Sequence, residues 1–187
     1  MVTTLPNLLT LSRILVIPLI VATFYIDGAT ARWIGCVLFV LAAVTDFFDG
    51  YFARRRNSVS SLGRFLDPIA DKLLVSAVLL MLTAFDRVSH FSYLPALVIL
   101  LREIMVSGLR EFLAELRIGM PVSRLAKWKT GIQMTALPTL IVGHAAPDWI
   151  PAQALGEVLL WGAAVLTLIT GWDYLRAGLK HMRDGAP

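Results

Sequence analysis

Six long apolar segments, separated by short polar connections, dominate the sequence. Each is close to the roughly 20 residues with which a helix crosses the hydrocarbon core of a bilayer. None of them alternates apolar and polar residues with the period of two that an outer-membrane strand requires. The sequence therefore predicts an all-α, polytopic integral membrane protein with six transmembrane helices. The segments are residues 8–25, 32–53, 65–85, 93–113, 126–142 and 154–175.

The composition excludes a soluble domain. Of the 187 residues, 57% are hydrophobic and 16% are charged, whereas a soluble domain is about half apolar and about a quarter charged. The segments leave little chain for anything else, so residues 1–187 are predicted to form a single membrane domain. The first segment lacks both a cationic stretch before it and a small-residue cleavage site after it. It is expected to be a retained span rather than a signal peptide.

Basic residues concentrate on one side of the predicted spans. With the N-terminus inside, twelve of the 17 Lys and Arg residues lie in cytoplasmic stretches, two in outer loops and three within spans. Cytoplasmic loops of membrane proteins carry such an excess, so both termini are predicted to be cytoplasmic. The same bias accounts for the net charge of +4 and makes nucleic acid an unexpected partner.

Four aspartates lie in the second and third segments, where a carboxylate is costly and therefore marks a functional site. Helical spacing puts Asp46 and Asp49 on one face of a helix, and Asp67 and Asp71 on one face of the next. A short connection makes these helices neighbours, so the two faces can meet. Four carboxylates together require cations, and oxygen ligands suit Mg²⁺ or Mn²⁺. The sequence therefore predicts a site for two divalent cations, an arrangement used for displacement at phosphorus.

Small residues accompany the aspartates on the same helix faces. Gly50 and Ala53 lie beside the first pair, and Gly63 lies in line with the second pair. They leave space for a bulky group next to the metal ions. Small residues also allow close helix packing in membranes, and the spacing alone does not separate these two roles.

The spacing resembles the signature of the CDP-alcohol phosphotransferase family, D-x2-D-G-x2-A-R-x8-G-x3-D-x3-D. Other segments, at residues 6–13, 102–104, 109–112 and 127–130, are similar to the branch of that family whose acceptor is glycerol 3-phosphate. The resemblance runs from the N-terminus to about residue 135. All fixed positions of the signature are matched, by Asp46, Asp49, Gly50, Ala53, Arg54, Gly63, Asp67 and Asp71.

The resemblance implies a homodimer in the bacterial inner (cytoplasmic) membrane, with an active site facing the cytoplasm. The phosphatidyl group of CDP-diacylglycerol would pass directly to an alcohol, and CMP would leave. Asp46, Asp49 and Asp67 would hold one metal ion. Asp46, Asp67 and Asp71 would hold the other, and Asp71 would also be the catalytic base. The CDP-lipid site would be lined by Asn7, Thr10, Asp49, Gly50, Ala53, Arg54 and Gly63.

Basic residues of the fourth and fifth segments indicate the acceptor. An arginine inside a membrane, such as Arg102, needs an anionic partner. That partner is either the phosphate of the acceptor or a nearby carboxylate, Glu103 or Glu111. In the second case Lys127 and Lys129 would only anchor the fifth helix. The spacing leaves both possibilities open, and the resemblance favours sn-glycerol 3-phosphate. The candidate acceptor-phosphate residues are Arg102, Arg110, Lys127 and Lys129.

Other functions remain open on the residues alone. The same chemistry serves other acceptors, namely inositol phosphate, serine or phosphatidylglycerol. A cation or proton transporter also carries intramembrane carboxylates, but clustering near one face argues against a pathway across the membrane. An intramembrane prenyltransferase also uses aspartate-rich metal sites, but it usually has two such motifs on well-separated helices. This sequence has one contiguous cluster.

Overall fold

A computed structural model describes the backbone of residues 5–56, 61–115 and 123–184, and the side chains of residues 10–45, 66, 69–114 and 123–179. Within these ranges the chain forms α-helices, two short 3₁₀ turns at His90–Ser92 and Gly143–Ala145, and no strand. Each apolar segment coincides with one helix, so the all-α prediction is confirmed for the described residues. The helices are α1 Leu5–Phe24, α2 Ala29–Arg56, α3 Ser61–Ala84, α4 Tyr93–Glu115, α5 Arg124–Val142 and α6 Ala152–Asp184.

The helices extend beyond the apolar segments. α2 continues to Arg56 and α6 to Asp184. α5 begins before its apolar segment because Ser123 caps it, its hydroxyl accepting a hydrogen bond from the backbone N–H of Ala126 at 3.1 Å. Hydropathy marks only the part of a helix that meets hydrocarbon. The helix itself continues for as long as its backbone groups are satisfied.

One buried core joins all six helices. α6 packs along α5 and α4, α1 packs against α2 and α3, and α2 meets α5. In a membrane this packing is stabilised by van der Waals contact and interhelical polar bonds, because lipid tails are as apolar as the core. Each helix contributes fully buried side chains, for example Ile20, Phe39, Leu79, Ile99, Leu140 and Leu160.

Large apolar side chains face outward along the helices. Leu15, Leu80, Ile104 and Val158 are all more than half exposed. Among the described residues, His90–Ala114 and Ala152–Leu179 are long and apolar enough to cross a membrane, and only 28% and 39% of their most apolar stretches are buried. Shorter apolar helices accompany them. Such outward apolar faces fit a membrane protein. The count of six spans and their orientation remain predictions.

A polar network ties together one end of the bundle. The carboxylate of Glu157, at the start of α6, accepts hydrogen bonds from the backbone N–H and the hydroxyl of Ser89, at 2.8 and 2.6 Å. The hydroxyl of Ser92 donates to it at 3.0 Å. Gln153 donates both to Glu157 and to the backbone carbonyl of Arg87. The connection between α3 and α4 is therefore fixed to α6, at the end of the bundle away from the aspartates.

The predicted orientation can be tested with single cysteines. In a background in which the half-buried Cys36 is replaced by alanine, Ser58→Cys and Asp148→Cys mark the α2–α3 and α5–α6 connections. We expect a membrane-impermeant thiol reagent to label position 148 in intact cells and position 58 only after permeabilisation, because basic loops stay inside. Labelling of position 58 in intact cells would contradict the orientation.

Candidate functional site

A cavity of about 520 Å³, lined by several charged residues, lies between α3, α4, α5 and α6. Asp71, the predicted base, lines it from α3. The cavity also brings together all four residues predicted to bind the acceptor phosphate. Two come from α4 and two from α5, and the two pairs are separated in sequence. These are Arg102, Arg110, Lys127 and Lys129.

The cavity has a net positive lining. Five basic and three acidic side chains line it, which leaves an excess of two positive charges. An excess of this size inside an apolar bundle favours an anion of similar charge. The basic residues are Lys72, Arg102, Arg110, Lys127 and Lys129, and the acidic residues are Asp71, Glu103 and Glu111.

Glu103 lies among these cations and pairs with two of them. Its Oε1 accepts a hydrogen bond from Lys129 Nζ and lies 3.5 Å from Arg102 Nη1. The sequence left open whether Arg102 pairs with Glu103, and this contact is present. It extends to Lys129, which is only 3% exposed. A lysine buried to that degree requires an anionic partner. Lys129 is therefore closely paired in the protein as described, and Arg102 more loosely.

Arg110 and Lys127 are the more available cations. Both side chains are exposed, and among the described side chains neither is in an ion pair. Lys127 lies in the first turns of α5, close to the helix end that Ser123 caps. The N-terminal end of a helix carries partial positive charge, which adds to the attraction for an anion. These two residues are placed to bind a phosphate group without displacing a carboxylate.

α6 contributes residues that the sequence analysis missed, because its sequence carries no recognised motif. Tyr174 is 7% exposed, and its ring centroid lies 5.6 Å from the guanidinium carbon of Arg102 and 5.7 Å from that of Arg110. Thr170 Oγ1 accepts a hydrogen bond from Arg102 Nη2 at 3.2 Å. The available signal was a polar and an aromatic residue four apart on one face of an apolar helix.

Asp71 also lines a second, smaller space of about 50 Å³, together with Glu103, Lys129 and Gln133. This volume is sufficient for a water molecule. The adjacent Lys72 donates a hydrogen bond from Nζ to Ser107 Oγ, which ties α3 to α4 at the cavity wall. Asp71 therefore lines both spaces together with basic residues.

The predicted metal ligands are all carboxylates, whose oxygens suit hard divalent cations such as Mg²⁺ and Mn²⁺. The backbone is helical at all four aspartates, so the regular spacing that places each pair on one face is present. Of the four, only Asp71 has a described side chain. Among the described side chains, no group of three or more Asp, Glu, His or Cys residues is close enough to hold a metal ion.

The predicted CDP-lipid residues are mostly outside the described side chains. Thr10 is the exception, and it is fully buried in α1. The other positions all fall within helices whose side chains are not described there. They are Asn7, Asp49, Gly50, Ala53, Arg54 and Gly63, together with the metal ligands Asp46 and Asp67.

Comparison with known proteins identifies relatives along nearly the whole chain. The profile of the CDP-alcohol phosphatidyltransferase family matches residues 3–169, which extends into α6. A Rickettsia felis protein named CDP-diacylglycerol–glycerol-3-phosphate 3-phosphatidyltransferase is 53% identical over 177 residues, covering 95% of this chain and 96% of the relative. Proteins of the same name from Cereibacter sphaeroides and Salmonella typhimurium are 39% and 40% identical, each covering 96% of this chain and 97% of the relative.

Proposed function

Because the chain belongs to the CDP-alcohol phosphatidyltransferase family, we propose that it transfers the phosphatidyl group of CDP-diacylglycerol to sn-glycerol 3-phosphate. The products are phosphatidylglycerol phosphate and CMP. Relatives that share up to about half of its residues over nearly their whole length are named for this reaction. The observation that carries the proposal is the cavity, in which candidate phosphate-binding cations and a candidate base lie together. A small acceptor with a phosphate at one end and a hydroxyl at the other matches this arrangement.

The acceptor is bound through its phosphate. Arg110 and Lys127 provide charge-assisted hydrogen bonds directly. Arg102, whose side chain lies against α6, adds a third contact. Lys129 adds another when it shares its hydrogen bonds between Glu103 and the phosphate. A group with nearly two negative charges complements the positive excess of the cavity.

Asp71 acts on the other end of the acceptor. Its carboxylate accepts the proton of the attacking hydroxyl, which has a high pKa and needs a base in the transition state. The hydroxyl oxygen forms a bond to the phosphatidyl phosphorus, the bond from that phosphorus to CMP breaks, and CMP leaves with the electron pair. Direct displacement needs no nucleophile from the protein.

The donor is bound by residues of α1, α2 and α3. Members of this family generally depend on divalent metal ions, and two ions, Mg²⁺ or Mn²⁺, are proposed here. Asp46, Asp49, Asp67 and Asp71 would hold them, and once bound they offset the charge of the diphosphate and of the leaving CMP. The CDP-lipid residues named above, and Arg54 among them, would hold the remainder of the donor head group.

The proposed enzyme is a multi-pass protein of the bacterial inner membrane whose cavity faces the cytoplasm, where glycerol 3-phosphate and CMP are soluble. The outward apolar faces of α4 and α6 support insertion in a bilayer. A homodimer is part of the same proposal, on the family resemblance alone.

An acceptor panel tests the function. Purified protein is supplied with CDP-diacylglycerol and one of glycerol 3-phosphate, inositol phosphate, serine or phosphatidylglycerol, and CMP release is measured. We expect glycerol 3-phosphate to support turnover at least about tenfold better than the others, because serine lacks a phosphate and the other two are larger. Omission of the donor is the control. Faster turnover with another alcohol would replace the acceptor, and cation transport without any CDP-lipid would replace the enzyme class.

A further inference from the structure

Three residues of α6 hold the side chain of Arg102 from one side. The Oγ1 of Thr170 accepts a hydrogen bond from Arg102 Nη2, with 3.2 Å between the two atoms. The ring centroid of Tyr174 lies 5.6 Å from the guanidinium carbon of Arg102. Gly171 lies against its aliphatic stem, because a Cβ at this glycine would come 3.0 Å from Arg102 Cγ and 3.6 Å from its Nε. We call Thr170, Gly171 and Tyr174 the α6 cradle.

We propose that the α6 cradle positions the Arg102 guanidinium for the acceptor phosphate and thereby sets the selectivity of the pocket for a phosphorylated alcohol. This rests on the proposed function. The cradle residues are positioning residues, because they act through Arg102 rather than through direct contact with the reacting atoms.

The carboxylate of Glu103 does not fix Arg102 in place. Its oxygen lies 3.5 Å from Arg102 Nη1, whereas a charge-assisted hydrogen bond is about 2.7–2.9 Å long. The same oxygen is the acceptor for Lys129. The shorter polar contact of Arg102 is the one to Thr170, whose own hydroxyl donates to the carbonyl of Leu166 at 2.7 Å. Because the hydroxyl hydrogen points to Leu166, the lone pairs of the Thr170 oxygen remain free to accept the hydrogen bond from Arg102.

The cradle holds the guanidinium without neutralising it. A hydroxyl, an aromatic ring face and a glycine carry no net charge, so among these contacts only the 3.5 Å contact with Glu103 offsets the charge of Arg102. Arg102 Nε is buried and has no hydrogen-bond partner among the described residues. Nε–H and a terminal N–H together form the fork with which arginine binds phosphate oxygens.

Tyr174 also relates Arg102 to Arg110. Its ring lies at nearly equal distances, 5.6 and 5.7 Å, from the two guanidinium carbons. The electron-rich face of an aromatic ring attracts cations, which offsets the repulsion between two like charges. Both guanidinium groups can therefore stay at the cavity before an anion arrives.

Three glycines of α6 provide a matched test. Gly171→Ala pushes on Arg102, Gly178→Ala places a Cβ 2.8 Å from Leu109 Cδ1 on the same α4–α6 interface, and Gly162→Ala meets nothing within 4 Å. Gly162→Ala controls for the substitution, and Gly178→Ala controls for helix separation. We expect Gly171→Ala to raise the KM for glycerol 3-phosphate about tenfold, equivalent to one weakened charged contact. We expect the KM for CDP-diacylglycerol to change less than about twofold.

Tyr174 gives a second, independent measurement. Tyr174→Leu removes the ring face, whereas Tyr174→Phe keeps it, so the phenylalanine variant should retain more acceptor affinity than the leucine variant. Thr170→Val, which keeps the shape and removes the acceptor oxygen, should raise the acceptor KM in the same direction as Gly171→Ala. Equal losses in the two Tyr174 variants would overturn the role of the ring.

The outcomes separate the cradle from the enzyme. Wild-type turnover with glycerol 3-phosphate is measured first, and its absence would remove the proposed function. With normal wild-type turnover, equal acceptor KM values in Gly171→Ala and Gly162→Ala would overturn the cradle alone. A rise of the same size in Gly178→Ala, or a parallel rise in both substrate KM values, would assign the effect to helix packing and also overturn it.

Discussion

Asp71→Asn is expected to lower kcat by at least about a hundredfold, the lower end of the contribution of a general base. Asparagine keeps the shape of the side chain and one oxygen, but it cannot accept the proton of the acceptor hydroxyl at neutral pH. Asp71 lines the cavity together with the candidate acceptor cations, so the loss should appear in the chemical step. The measurement is kcat at saturating concentrations of both substrates, with binding of CDP-diacylglycerol measured separately. Because asparagine keeps one ligand oxygen, some metal and donor binding should be retained.

Asp173→Asn is the matched control for this substitution. Asp173 is an exposed carboxylate on α6 that does not line the cavity, and its change should leave kcat within about twofold of the wild type, as surface substitutions usually do. Turnover near the wild-type rate in Asp71→Asn would remove this residue from the mechanism.

Alanine at Asp46, Asp49 or Asp67 should lower activity by orders of magnitude and weaken its dependence on metal concentration.

Arg110→Ala and Lys127→Ala are each expected to lower kcat/KM for glycerol 3-phosphate by about ten- to a hundredfold. The loss of one charge-assisted contact costs roughly 1.5–3 kcal/mol. Neither residue is in an ion pair among the described side chains, so its removal strands no carboxylate. Arg102→Ala should act in the same direction. The measurement is the KM of each substrate in turn, and the donor KM should change much less.

Arg124→Ala provides the control for the charge. Arg124 is an exposed basic residue at the start of the same helix as Lys127, and it does not line the cavity. It should leave the acceptor KM nearly unchanged. Lys129→Ala is a poorer test, because it removes the close partner of Glu103 and destabilises the protein by itself. If the Arg110 and Lys127 variants instead weaken the donor and spare the acceptor, the cavity binds the donor.

The helices could be predicted from the sequence because their signal is local. A run of about 20 apolar residues has few alternatives to a membrane helix, and each such run coincides with a helix of the structure. The faces that carry the signature aspartates could also be predicted from the sequence, because helical spacing alone puts each pair on one face. Arg102 and Arg110, eight residues apart on α4, were found for the same reason.

The contacts between helices could not be predicted, because the sequence does not say which faces meet. Thr170 and Tyr174 look like ordinary members of an apolar helix until α6 is packed against α4. The pairing of Glu103 was left open for a related reason. Its neighbour in sequence is Arg102, but its closest partner, Lys129, lies on α5. The roles of these residues depend on packing geometry that periodicity does not contain.

Glu103 gives the cavity an anion of its own when no acceptor is bound. Under the proposed function, an acceptor phosphate bound at Arg110 and Lys127 would reach Lys129 only by competing with this carboxylate, and part of its binding free energy would be used in that exchange. A neutral alcohol would have no charge with which to compete, so the exchange would discriminate against it. When the phosphate leaves, Lys129 would return to Glu103. Such an arrangement would favour selective, repeated turnover over tight retention of any one molecule.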